Sequence, residues 1–155
     1  MSLKNQWLMN IAMVLLSWLS LFFIGKRNIK RFLPASVLIF FVEAINVQFA
    51  KKRKWWVFNN KPKSYVSGEL PFNIGPFFVF SMWVLKSSYG NFKRFLLLNA
   101  IIHTFFAFSL MKIMKKIKVV KLVRIDGFQF FFYYFYKAFL LYGFQYIIEK
   151  KRKFV

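Results

Sequence analysis

Three ionisable side chains lie near the centres of long apolar runs, where proton or ion chemistry inside a membrane would need them. Glu43 lies in the second of five such runs, His103 in the fourth and Lys137 in the fifth. A charge at the centre of a spanning helix costs roughly 2.5–3.5 kcal/mol on insertion scales. Because all three lie at a similar depth, we predict that Lys137 faces the interior of a bundle and pairs with Glu43, near His103. The alternative is that Lys137 extends along its stem past Tyr133 or Tyr134 to the interface while a neutral Glu43 bonds to Asn46.

Helical spacing adds further polar residues to the same faces. Asn46 follows Glu43 by three positions and His103 follows Asn99 by four, so each pair shares one helix face. With Lys137, these residues form a candidate intramembrane polar cluster. Such residues either hold helices together by hydrogen bonds or line a path for a proton or an ion.

The stretch GELPFNIGPFFVF is a second candidate site, the entrance to a kinked helix. Its candidate residues are Glu69, Pro71, Asn73, Gly75 and Pro76. Pro71 and Glu69 suit a helix start, because a first-turn proline loses no hydrogen bond and a carboxylate favours the positive end of the dipole. Pro76 frees the carbonyl of Phe72, for which Asn73 is the expected partner. We predict a kink at Pro76, with a re-entrant or ligand-facing loop as the alternative.

Composition indicates that membrane-spanning helices position these residues. The chain of 155 residues is 59% hydrophobic and carries 25 Lys and Arg against 4 Asp and Glu. The charges lie in blocks between apolar runs, which is typical of spans joined by basic loops and argues against a nucleic-acid-binding protein. There is no Cys, and no phosphate-binding or hydrolase motif is present. We therefore expect no enzyme activity, no metal site and no cofactor.

Five apolar runs predict the fold class, an all-α integral membrane bundle that forms a single domain over residues 1–155. The candidate spans are 7–24, 32–50, 70–85, 95–111 and 128–148. A helix of about 20 residues crosses a hydrocarbon core of about 30 Å. Pro34 is expected in the first turn of the second span. Basic residues fall almost equally on the two sides, so orientation stays open, as does an alternative of four spans plus one re-entrant segment.

Basic segments predict contacts with anionic lipid headgroups. The segment 112–124 has apolar residues on one helical face and lysines on much of the rest, which predicts an amphipathic surface helix, with a plain basic loop as the alternative. The sequence KKRKWW combines cations with indoles, as at a membrane interface. The candidate headgroup contacts are Lys51, Lys52, Arg53, Lys54, Lys115, Lys116 and Lys121. We expect anionic lipids as partners and no nucleic acid.

The segments KWW, FNIGPF and YGFQ carry a resemblance that covers roughly residues 50–148. In these segments the chain resembles a group of small multi-pass membrane proteins from spore-forming Gram-positive bacteria. The resemblance implies a multi-pass location in a bacterial plasma membrane. It implies no activity and transfers no functional residues.

Together these features favour a small non-enzymatic membrane protein that acts as an accessory or interaction subunit. It would act as a homo-oligomer or with a larger membrane partner. The alternative is a small permease or channel subunit that uses the polar cluster at mid-depth.

Overall fold

A computed structural model describes residues 2–59 and 65–154, and these are mostly helical. The described elements are α1 (Leu3–Ile24), α2 (Lys26–Lys52), β1 (Trp56–Phe58), α3 (69–88), α4 (Phe92–Lys116), β2 (Val120–Leu122) and α5 (Gly127–Lys153). Helix α3 has a π-helical turn at Asn73–Phe77, and α4 has another at Phe105–Leu110. Three helices, α1, α2 and α4, are long and apolar enough to span a membrane, which indicates a membrane protein.

Side-chain contacts show that successive helices alternate in direction. Asn10 of α1 bonds to the carbonyl of Ser67 before α3, and Lys86 near the end of α3 bonds to the carbonyl of Phe23, so α1 and α3 run parallel. Helix α5 runs antiparallel to α2 and to α4. It pairs Lys137 with Glu43 of α2 and Glu149 with Arg31 of α2. Its ring contacts with α4 run from Phe92–Phe139 to Phe108–Phe128. The described helices form an up-and-down bundle.

A short antiparallel sheet closes one end of the bundle, which we call the strand end. Strand β1 follows α2 and β2 follows α4, and they pair Trp56 with Leu122 and Phe58 with Val120. The opposite end, which we call the turn end, has the connection at Gly25 and the turn at 89–91. Two tight connections at the turn end and two longer ones at the strand end give the bundle its up-and-down order.

The prediction of a surface helix over 112–124 is wrong beyond Lys116, where α4 ends. Lys118 takes a positive φ of 57°, and the chain then turns into β2. Val119 and Val120 are 3% and 7% exposed, so they belong to the core and not to a lipid-facing stripe. β-branched residues favour strands, and pairing with β1 satisfies their backbone groups.

Helix α2 begins earlier than predicted, because Gly25 takes a positive φ of 86° and lets α2 start directly after α1. Pro34 therefore lies in the helix interior and not in the first turn. An interior proline frees the carbonyl four residues earlier, here that of Lys30. The Nη2 of Arg152 from the end of α5 donates to this carbonyl at 3.4 Å.

Helix α3 has a π-helical turn that includes Pro76, the position at which the sequence predicted a kink. The carbonyl of Ile74 in this turn accepts a hydrogen bond of 2.8 Å from the indole of Trp18 on α1. Asn73 was expected to serve a freed carbonyl, but its Nδ2 donates to the hydroxyl of Tyr65 at 3.4 Å. The helix continues to Ser88, so the segment is helical and not a loop.

Large apolar side chains cover the outer surface between the two ends. Leu16 and Phe22 of α1 are 68% and 82% exposed, and Ile45 of α2 is 61% exposed. Such a surface is stable in lipid and unfavourable in water. The interior has an aliphatic and phenylalanine cluster near the turn end and an aromatic cluster around Trp56 and Tyr134 near the strand end.

Candidate functional site

Glu43 of α2 and Lys137 of α5 form a buried ion pair in the middle of the bundle. Their residues are 0% and 2% exposed. The pair forms because α2 and α5 are antiparallel and both residues lie near mid-length. The hydroxyl of Tyr133 lies 3.3 Å and 3.4 Å from the two carboxylate oxygens of Glu43 and donates to them. The structure therefore places Lys137 inside the bundle and not at the interface.

Aromatic rings complete the surroundings of Lys137. Its Nζ lies 3.3 Å from the ring centroid of Tyr133 and 4.5 Å from that of Tyr134. A cation within about 6 Å of a ring face is attracted to it. The ring centroid of Tyr136 lies 5.6 Å from the same Nζ. The ammonium is thus compensated by one carboxylate and three rings, which offsets the cost of removing it from water. The sequence placed Tyr133 and Tyr134 along a path of Lys137 to the interface, whereas in the structure their rings contact its ammonium inside the bundle.

The other members of the predicted polar cluster have different roles. Asn46 bonds to the hydroxyl of Tyr136 and not to Glu43. Asn99 donates at 2.8 Å to the carbonyl of Phe95 in its own helix. His103 lies close to the pair, with its ring centroid 6.1 Å from that of Tyr134. The cluster therefore consists of the ion pair, its tyrosines and the nearby imidazole.

A cavity of about 440 Å³ lies beside the ion pair and is bounded by residues from all five helices. Its walls are mostly apolar, with Met13, Phe77 and Phe106 among them. Asn73, His103 and Lys137 are among its few polar residues. Small-molecule sites are typically apolar clefts of roughly 300–1,000 Å³ with a few polar groups, and this cavity has both properties.

The predicted entrance residues lie at the strand end of this cavity. Trp56 Nε1 donates to Glu69 Oε1 at 3.1 Å, and Lys51 Nζ lies 3.5 Å from Glu69 Oε2. Burial raises the pKa of the Glu69 carboxyl, while Lys51 and Trp56 act in the opposite direction. Glu69 thus joins the start of α3 to β1 and the end of α2. Pro71 is buried, as expected for a helix start inside the bundle.

Glycine is needed inside α3 because α1 packs directly against it. A Cβ at Gly75 would lie 3.1 Å from the backbone Cα of Val14. This contact is tighter than ordinary van der Waals packing, so no larger residue fits without a shift. The close approach lets the indole of Trp18 reach the π-helical turn.

The predicted headgroup contacts divide into two groups. Lys51 pairs with Glu69, and its side chain is only 16% exposed, so it contacts a buried carboxylate and not the lipid headgroups that were predicted for it. Its Nζ also lies 5.7 Å from the ring centroid of Tyr65. The remaining six are exposed and form what we call the strand-end basic group: Lys52, Arg53, Lys54, Lys115, Lys116 and Lys121.

A basic cleft that the sequence did not predict lies at the turn end. It is lined by Arg27, Lys30, Arg31, Glu149, Arg152 and Lys153. Arg31 binds Glu149 through two hydrogen bonds, from Nε at 2.5 Å and from Nη2 at 3.1 Å. The hydrogen bond from Arg31 lowers the pKa of the Glu149 carboxyl. Only the antiparallel register of α2 and α5 brings these residues together, so spacing along the chain held no signal for the cleft.

Among the described residues, no group of three or more His, Asp or Glu lies close enough to hold a metal ion. Comparisons with family models, with curated proteins and with solved structures returned no match. The arrangement itself provides a compensated charge pair at mid-depth, a largely apolar cavity and two basic ends.

Proposed function

We propose that this chain is a multi-pass membrane protein of five spans that acts without enzymatic activity as an accessory subunit in a bacterial plasma membrane. Helices α1, α2 and α4 have the length and apolarity of spans. Helix α3 lies parallel to α1, and α5 lies antiparallel to α2, which supports five crossings. The plasma-membrane location is supported by the resemblance to small multi-pass proteins of spore-forming bacteria.

The exposure of α1 is the observation that carries the accessory role. Its side chains Leu15, Leu16, Phe22 and Phe23 are 57%, 68%, 82% and 78% exposed. The helix meets the remainder of the bundle mainly along its contacts with α3. A peripheral span with a broad apolar face is the element that a second copy or a larger membrane protein would cover.

Photocrosslinking from two outward faces tests this role. A photoreactive amino acid replaces Leu16 of α1, and in a matched control it replaces Phe132 of α5, which is 61% exposed. We expect a discrete protein adduct from position 16, either of twice the chain mass or with one larger partner, and only lipid adducts from position 132. Lipid adducts alone at both positions would contradict an accessory role for α1.

A permease or channel subunit is the second candidate, and one observation favours it. Lys137, a member of the buried ion pair, also lines the cavity. A protonatable pair beside a cavity at mid-depth is where a proton or ion path would need it. Proton flux into liposomes containing the protein tests this role, with protein-free liposomes as the control. A flux that survives in a Glu43→Gln/Lys137→Met double variant would contradict it.

A further inference from the structure

The cavity contains a hydrogen-bond acceptor that no described residue uses. Asn73 is 1% exposed and lines the cavity. Its Nδ2 donates to Tyr65, but its Oδ1 has no hydrogen-bond partner among the described residues. Buried polar atoms in folded proteins nearly always have a partner, which is protein, water or a ligand. An orphaned acceptor in a cavity therefore points to an occupant that carries a donor.

A second unpartnered atom lies in the same cavity. Nδ1 of His103 is buried and has no hydrogen-bond partner in the described part of the chain. A neutral imidazole can accept through one ring nitrogen and donate through the other. The ring of His103 lies 6.1 Å from that of Tyr134, and Tyr134 lies 6.1 Å from Phe72 beside Asn73. Ring contacts through Tyr134 and Phe72 thus connect the surroundings of the two polar groups.

The charges near the cavity already have partners, which determines the charge of the occupant. Lys137 pairs with Glu43, and Glu69 pairs with Lys51. A charged headgroup in this space would find no free counter-ion in these pairs, and an uncompensated buried charge is strongly unfavourable. The occupant that fits is therefore neutral.

The walls and the opening of the cavity indicate that the rest of the bound molecule is apolar. Phe80 of α3 and Phe105 of α4 line the cavity and are also 52% and 58% exposed, so the cavity reaches the apolar outer surface between these helices. Inside, Met13, Phe77 and Phe106 provide apolar contacts. A molecule that enters here passes through a surface suited to hydrocarbon chains and not to water-soluble solutes.

We propose that the cavity is a binding site for a neutral amphiphile, a long apolar chain that ends in a hydroxyl group. The hydroxyl donates to Oδ1 of Asn73, and the chain lies among the apolar walls. The volume of about 440 Å³ suits one chain. This site goes beyond the accessory role and does not depend on it, because binding needs neither a partner nor transport.

Photolabelling of the full chain in nanodiscs tests the proposal. The probe is hexadecanol with a diazirine in its chain, and the comparison probes are the corresponding methyl ether, which lacks the donor, and the corresponding fatty acid. We expect the alcohol to label α3 and α4 residues that line the cavity about 10-fold more efficiently than the ether, consistent with one hydrogen bond to a buried acceptor. Unlabelled hexadecanol should compete with this labelling.

Variants assign the effect to the acceptor. Asn73→Leu removes Oδ1 at similar side-chain size, and labelling by the alcohol should fall to the level of the ether. Asn46→Leu is the matched control, because Asn46 bonds to Tyr136 and does not line the cavity, so the preference for the alcohol should persist.

Four results would overturn the proposal. Equal labelling by the alcohol and the ether would show that the hydroxyl group does not contribute to binding. Stronger labelling by the fatty acid would show that the site prefers a charged ligand. Labelling that unlabelled hexadecanol does not reduce, or labelling of residues outside the cavity, would show that the cavity is not a specific binding site. If Asn73→Leu does not fold, the comparison of the three probes on the unmodified chain still decides the matter.

Discussion

The buried ion pair makes a quantitative prediction about stability. Lys137→Met removes the ammonium but keeps an unbranched apolar side chain, and it leaves the carboxylate of Glu43 at 0% exposure. Breaking a buried pair by removing one partner costs about 3–5 kcal/mol, because the remaining charge has no counter-ion. We therefore expect the free energy of unfolding of Lys137→Met to fall by about that amount.

The double variant Glu43→Gln/Lys137→Met should lose much less. Neither charge of the pair remains, and what is lost is the contact of the ammonium with the rings of Tyr133 and Tyr134 and the hydrogen bonds to the carboxylate. A desolvated cation–π contact is worth about 2 kcal/mol. The expected loss is therefore about 1–2 kcal/mol, which is about 2–3 kcal/mol less than the loss in Lys137→Met alone. Glu43→Gln alone leaves the ammonium of Lys137 without its carboxylate and should also lose about 3–5 kcal/mol, so the losses of the two single variants should not add.

Equilibrium unfolding in detergent micelles provides the assay, followed by the fluorescence of the 5 tryptophans. Lys112→Met serves as the control, since Lys112 is exposed and should change the free energy by less than about 0.5 kcal/mol. The reasoning would be refuted if the single and double variants lost the same free energy, or if the losses of the two single variants simply added.

Three further predictions concern packing, pH and lipid. Gly75→Ala should destabilise the fold by about 1–3 kcal/mol, because its Cβ would press on Val14. In Gly143→Ala the new Cβ would have no atom within 4 Å, so this control should be neutral or stabilising, and thermal unfolding compares the two variants. The pKa of Glu149 is lowered in the fold, so the stability that its carboxylate contributes is present above its unfolded pKa of about 4.3 and is lost as pH falls through the folded pKa. Arg31→Met should reduce this acid-induced loss of stability by less than about 1 kcal/mol, because the pair is exposed. An acid unfolding curve that is the same with and without Arg31 would contradict the role of this ion pair. Native mass spectrometry should show more phosphatidylglycerol than phosphatidylcholine bound, less so after neutralisation of the strand-end basic group, and equal binding of both lipids would contradict the role of these cations.

The sequence predicted the ion pair for a physical reason that holds in this fold. Glu43 and Lys137 each lie at the centre of an apolar run, and central residues of antiparallel helices meet at the same depth. The cost of a lone charge then favours pairing over separation. The position of each residue along its apolar run was sufficient to predict this contact, because two long side chains can meet even when their depths differ by about one helical turn.

Contacts that depend on the far end of the chain could not be predicted in this way. Pro34 was expected in the first turn of a helix, where its missing N–H costs nothing, but it lies inside α2. The carbonyl of Lys30 that it frees accepts a hydrogen bond from Arg152 at the end of α5. The carbonyl of Ile74 similarly accepts a hydrogen bond from Trp18 on another helix. In both cases the hydrogen-bond donor comes close to the carbonyl only when the helices pack together.

The strands illustrate a competition between local and long-range preferences. Residues 112–124 have a helical pattern of apolar and basic residues, and that pattern holds only to Lys116. Beyond it, Val120 pairs with Phe58, a residue from the other connection at the strand end. Helical periodicity cannot reveal a partner so distant in the chain, so the sheet was missed.

Side-specific labelling tests the five-span bundle most directly. The chain contains no Cys, so each single substitution gives one labelling position. Lys52→Cys and Lys116→Cys lie at the strand end, and Lys26→Cys and Lys150→Cys lie at the turn end. With a membrane-impermeant maleimide on intact cells, we expect one pair to react at once and the other only after permeabilisation. Reaction of all four positions from the same side would contradict the five-span account.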